Sequence, residues 1–108
     1  MFRQGDILLL PIADTAVPPS IESSVAKPRD ARGRLVLALG EVTGHAHAIP
    51  GAATLYPSSD PMLIGHLRLP QDTRIVHEEH AEIALPKGWY RVIRQREYLP
   101  GAVRMVAD

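Results

Sequence analysis

Five histidines are the residues of this sequence best suited to chemistry, and four of them come in two close pairs, His45/His47 and His77/His80. A neutral imidazole offers a lone pair to a metal ion or a proton-transfer group to a substrate, with an unperturbed pKa near 6.5. On a strand alternate side chains share a face, so His45 and His47 project together about 7 Å apart at their Cα atoms. Two such rings can reach one ion at about 2.0–2.1 Å from each nitrogen. Ala46 and Ala48 then point to the other face, where Ala46 is expected to meet the packed layer beneath the site and to tolerate enlargement less well than Ala48.

The second pair lies in His77-Glu78-Glu79-His80. On a continued strand these two histidines point to opposite faces; a turn at Glu78-Glu79 brings His80 back beside His77. The expected metal ligands are therefore His45, His47, His77 and His80, with Glu78 and Glu79 as the candidate catalytic carboxylates, acting as bases on a metal-bound water or as acceptors that orient an imidazole. Imidazole and carboxylate donors suit a divalent transition metal such as Zn, Fe, Ni or Mn, and the residues do not choose among them. The i, i+3 spacing without an amphipathic helix excludes the helical His-Glu-x-x-His site of zinc proteases. His66, alone between Gly65 and Leu67, is a weaker fifth candidate and reads first as a partly exposed strand residue.

The elements that must position these groups are short. Ten prolines and eight glycines divide the chain, and no apolar stripe of helical period persists, which points to β structure. Strands are expected over 6–12, 34–42, 45–49, 53–56, 62–69, 74–77, 82–85, 89–95 and 103–106. Pro86-Lys87-Gly88 reads as a tight turn that makes 82–95 a hairpin. The Pro-, Ser- and charge-rich stretch 13–33 reads as a long mobile loop, a lid over a site or an expendable decoration, with one helical turn near Ile21 to Val25. Shortening it is expected to leave folding intact.

The whole is expected to be an all-β single domain spanning 1–108, either a small barrel or a two-sheet sandwich. Its 108 residues hold one core of ordinary size. Twelve Lys and Arg balance twelve Asp and Glu, so no bulk field draws it to nucleic acid or an anionic membrane. With no cysteine, disulfides, thiolate metal sites and cysteine nucleophiles are excluded. The apolar run Ile7 to Leu10 is too short for a signal-peptide core or a membrane span, so no membrane partner and a cytoplasmic location are expected.

Gln4-Gly5-Asp6, Gly40-Glu41-Val42-Thr43-Gly44-His45-Ala46-His47, His77-Glu78-Glu79-His80 and Leu85-Pro86-x-Gly88-x-Tyr90-x-Val92 with Gln95-Arg96-Glu97-Tyr98 together resemble a family of small bacterial and phage proteins to which no activity is attached. A glycine followed by His-x-His also resembles the first metal motif of the cupin barrels, which implies a cupin-like fold. That motif has five residues between glycine and histidine, where Gly40 is followed by four, and Arg91 stands at the place of a later cupin ligand.

The resulting expectation is a divalent-metal-binding β protein, extending to a metal-dependent hydrolase or oxygenase acting on a small-molecule substrate; a homo-oligomer is left open. A second reading takes the histidines as acid and base of an RNA-binding or ribonuclease-like barrel. There Tyr90, Arg94, Arg96 and Tyr98 share a face that stacks bases and holds phosphates, and Gly5-Asp6-Ile7-Leu8-Leu9 resembles the first strand of the small-barrel endoribonucleases of toxin-antitoxin systems. A third is a non-enzymatic interaction module in which metal only staples the fold.

Overall fold

The computed structural model describes residues 1–39 and 45–95. Nine strands occupy them: β1 Phe2–Gln4, β2 Ile7–Ile12, β3 Leu35–Leu39, β4 Ala46–Ile49, β5 Thr54–Pro57, β6 Gly65–Leu69, β7 Thr73–Ile75, β8 Ile83–Leu85 and β9 Gly88–Arg94. The protein is all-β, with two single 3-10 turns at Asp14–Ala16 and Ile21–Ser23 as its described helical structure. Val42 and the expected strand 103–106 lie outside the described residues.

A five-stranded antiparallel sheet has the order β1-β2-β9-β6-β5, and β3-β4 and β7-β8 form two further antiparallel pairs. These pairs are joined through a bridge between Ala48 and Val76, whose backbones exchange hydrogen bonds of 3.0 and 2.8 Å. The pairing among the described residues does not close into a barrel, since β1 and β5 each end the large sheet. Period-two alternation explains the core. Ile7 and Leu9 on β2, Leu67 on β6, and Tyr90 and Val92 on β9 face inward, where they meet Leu35, Leu37 and Ile49 from β3 and β4 and Ile75 and Leu85 from β7 and β8.

The 82–95 hairpin does not form. β8 pairs with β7, while β9 pairs with β2 and β6. In place of the expected tight turn, the chain bends at Lys87, and Gly88, at φ 136°, opens β9 in the other sheet. Lys87 N–H is held there by Asp72 Oδ1 at 2.9 Å. The expectation also missed β1: Phe2–Gln4 is too short to show an alternation, and its pairing with β2 depends on the turn at Gly5, whose φ is 59°.

The stretch 13–33 is not detached from the rest. Lys27 N–H bonds Leu55 O at 2.8 Å, and its Nζ reaches Val36 O at 2.8 Å. Arg29 donates to Gly33 O at 2.8 Å and to Gly51 O at 2.6 Å. Its earlier part, with Asp14, Val17, Pro18 and Ile21, lines a cavity of about 560 Å³ over Trp89 and Arg68 that no histidine lines. A lid over the histidines is thus not its arrangement. Replacing 14–24 by a glycine-serine linker of equal length should leave the denaturation midpoint nearly unchanged, whereas Arg29→Ala should lower it, because it strips carbonyls of two loops of their shared donor.

Both alanines of β4 are buried, Ala46 at 2% and Ala48 at 0% exposure, which corrects the expected difference between them. Ala48 is fully buried and its backbone is bridged to Val76, the residue after β7. Ala48→Leu should cost about 1–3 kcal/mol through over-packing, at least as much as Ala46→Leu. Urea denaturation of the two variants measures the difference.

Candidate functional site

The turn after β1 begins the site. Gly5 takes φ 59°, and a Cβ on it would stand 2.9 Å from His80 Nε2 and 3.2 Å from His47 Cε1. A glycine is needed there both for the backbone and for the close approach of two imidazole edges to one spot. Asp6, next in the turn, has its Oδ1 3.8 Å from His47 Nε2 and its Oδ2 3.3 Å from Arg94 Nε. The arginine's Nη2 donates to Leu39 O at 2.6 Å.

β4 carries His47 to the centre, 1% exposed. The rings of His77 and His80 flank it, and His45 joins the cluster through His77. Centroid separations are 4.4 Å for His47–His77, 6.0 Å for His47–His80, 4.7 Å for His77–His80 and 5.6 Å for His45–His77. The two pairs, thirty residues apart, are brought together by the turn at Glu78-Glu79 and by the bridge of Ala48 to Val76, the residue before His77. His66 is elsewhere, on β6 opposite Tyr56 and Arg91, 8% exposed and on the face of the large sheet that points away from Leu67 and the core.

The carboxylates are tied to the same frame. Glu78 Oε2 accepts the Ala46 N–H at 3.0 Å, and this bond is the first cause that holds its carboxyl below the usual range. Glu78 thus fastens the second turn to the start of β4. Glu79 Oε1 lies 3.1 Å from His45 Nδ1. That distance suits an ion pair, but the direction is off the hydrogen bond, and His45 Nδ1 has no hydrogen-bond partner among the described residues.

The turn also sets the proton on His77. Its Nδ1 accepts the backbone N–H of Glu79 at 3.0 Å and of His80 at 3.3 Å, so a neutral His77 carries its proton on Nε2. Burial, then the neighbouring His80, pushes its pKa down. His47 is pushed down further, to about 4, by burial first and then by His77, against a smaller opposing effect of Asp6. Neutral imidazoles are the ligating form. Among the described residues no three His, Asp or Glu already have donors set around one point; the 77–80 turn keeps His77 Nδ1 directed at the backbone.

Sequence reasoning missed Gln4. Its side chain is 2% exposed; its Nε2 donates to Ile75 O at 3.2 Å and Ala81 O at 2.9 Å, and its Oε1 stands 2.9 Å from His47 Nδ1. No spacing rule signals a residue that acts across more than seventy positions of chain. Asp6 was legible only as the first residue of a strand and within the quoted resemblances, with no role of its own. The face supposed for the second reading is divided: Tyr90 is 2% exposed and gives its hydroxyl proton to Pro86 O, Arg94 faces Asp6, and Arg96 and Tyr98 lie outside the described residues.

No helix among the described residues is long and apolar enough to cross a membrane. A family model described as a domain of unknown function (DUF8820) matches residues 3–95. No curated protein and no solved structure matches the chain.

The pKa of His47 gives a pH signature of the metal-free fold. Because it is lowered from 6.5 to about 4, the unfolded chain binds a proton that the folded chain refuses between those values. Stability is full above pH 6.5 and falls as pH drops through the window, by up to about 1.4 kcal/mol per unit. Urea unfolding from pH 7.5 to 4 should show this decline, and a folded His47→Gln variant should flatten it.

Proposed function

For a chain that belongs to the DUF8820 family, we propose that residues of the histidine cluster bind one divalent transition-metal ion. The observation that carries this reading is the packing of four imidazole rings, one of them the buried His47, each within 4.4–6.0 Å of another. In this cluster His47 and His77 are held below the usual imidazole range by burial and then by a neighbouring ring. A shared cation turns the repulsion between neighbouring rings into a common attraction.

His47, His45 and His80 are the ligands in this proposal. The edges of His47 and His80 face one spot above Gly5, and His45, with Glu79 Oε1 3.1 Å from its Nδ1, would offer Nε2 to the ion once that contact became a hydrogen bond. His77 differs from the expected set: with Nδ1 committed to the 77–80 turn, its Nε2 proton is offered to whatever binds beside the metal. Three imidazoles leave room at the ion for a further donor, and a coordination number above four would keep a position for substrate or water. Hydrolysis or oxygen chemistry on a small molecule fits such a site. A His-x-His strand against a sheet core is also what a cupin-like ancestry would leave.

Titration calorimetry of demetallated protein with Zn, Ni and Mn tests the proposal. About one ion per chain is expected, with binding at least about tenfold weaker in His45→Ala and His80→Ala and nearly unchanged in His66→Ala and His77→Ala. Affinity should fade below about pH 6, where protons compete for the rings. Wild-type binding no tighter than that of His45→Ala and His80→Ala sinks the proposal.

A further inference from the structure

We propose that Gln4 is a positioning residue that locks His47 as the Nδ1–H tautomer, and that the bare His47 Nε2 and the Asp6 carboxylate thereby form a prebuilt pair for a divalent cation. The assignment of Asp6 as a ligand rests on the metal reading; the tautomer does not.

The argument is one of hydrogen-bond supply. The Gln4 amide is buried, and its two nearest backbone partners, Ile75 O and Ala81 O, are acceptors. Its NH₂ group must face them, so the orientation of the amide is fixed and Oε1 is turned to His47. An amide oxygen only accepts. His47 Nδ1 must therefore donate, and the other nitrogen of a neutral ring then has no proton. That nitrogen faces Asp6 Oδ1 at 3.8 Å. Two lone-pair atoms meet there with no proton between them, and two donors at about 2.0–2.2 Å from one ion stand at a comparable separation. Arg94 Nε lies 3.3 Å from the far oxygen of Asp6, within ion-pair distance, on the side of the carboxylate away from His47.

Gly5 completes the device. It places Gln4 on the last position of β1 and Asp6 at the head of the turn, so that neighbouring residues grip the two sides of one imidazole. The motif Gln4-Gly5-Asp6 is thereby a functional unit: the amide sets the proton, the glycine gives room, and the carboxylate faces the lone pair.

Two-bond ¹H–¹⁵N correlation spectra of metal-free, ¹⁵N-labelled protein at pH 7.5 read the tautomer directly. A pyrrole-like Nδ1 and a pyridine-like Nε2 on His47 are expected, with Gln4→Met mixing the two forms. A protonated Nε2 in wild type, or an unchanged tautomer in folded Gln4→Met, overturns the role of Gln4. Zn titration of Asp6→Asn, whose His47 tautomer should be unaltered, should show at least about tenfold weaker binding; equal affinity overturns the role of Asp6. If the tautomer is as expected and wild type binds no Zn, Ni or Mn, the role of Gln4 stands while that of Asp6 falls with the metal reading. If Gln4→Met does not fold, the wild-type spectrum and Asp6→Asn decide.

Discussion

One buried amide holds the candidate site together. Gln4 bonds the end of β7 through Ile75 O, the segment after the second histidine pair through Ala81 O, and β4 through His47 Nδ1. Three segments far apart in the chain thus converge on a side chain that reaches them from the first strand. Without it the Ile75 carbonyl and the His47 imidazole N–H would lose a buried partner, each costing about 1–3 kcal/mol. The pairing of β1 on β2, itself only three residues long, is what keeps the amide in place.

Around that amide the second histidine pair is oriented by fixed bonds rather than by secondary structure. Glu78 clamps the turn to Ala46 N–H, and the N–H groups of Glu79 and His80 cap His77 Nδ1. The result is a set of rings with unequal protonation: His47 buried, neutral and bare at Nε2, His77 protonated at Nε2. Identical side chains acquire different chemistry from their hydrogen-bond partners, as is common where imidazoles cluster.

The rest of the fold serves as a support for this corner. The large sheet supplies β2 and β9, whose register places Ile7 opposite Arg94 and so sets Asp6 beside the arginine. The bridge between Ala48 and Val76 fixes the distance between β4 and the 77–80 turn. The cavity over Trp89 and the docked stretch 13–33 belong to a separate region of the molecule.

The sequence by itself determined the β class, most strand positions and the two histidine pairs, because these depend on local rules: alternation, turn residues, and the fixed spacing of His-x-His. The strand partners were decided only by the tertiary structure. Pro86-Lys87-Gly88 reads locally as a hairpin turn, but burial of Leu85 in one layer and Tyr90 in the other makes it a crossover. The same holds for the site's chemistry. Which histidine is buried, which nitrogen keeps the proton, and that Gln4 and Asp6 flank His47 depend on contacts between residues more than forty positions apart, and no local pattern encodes a hydrogen bond of that range.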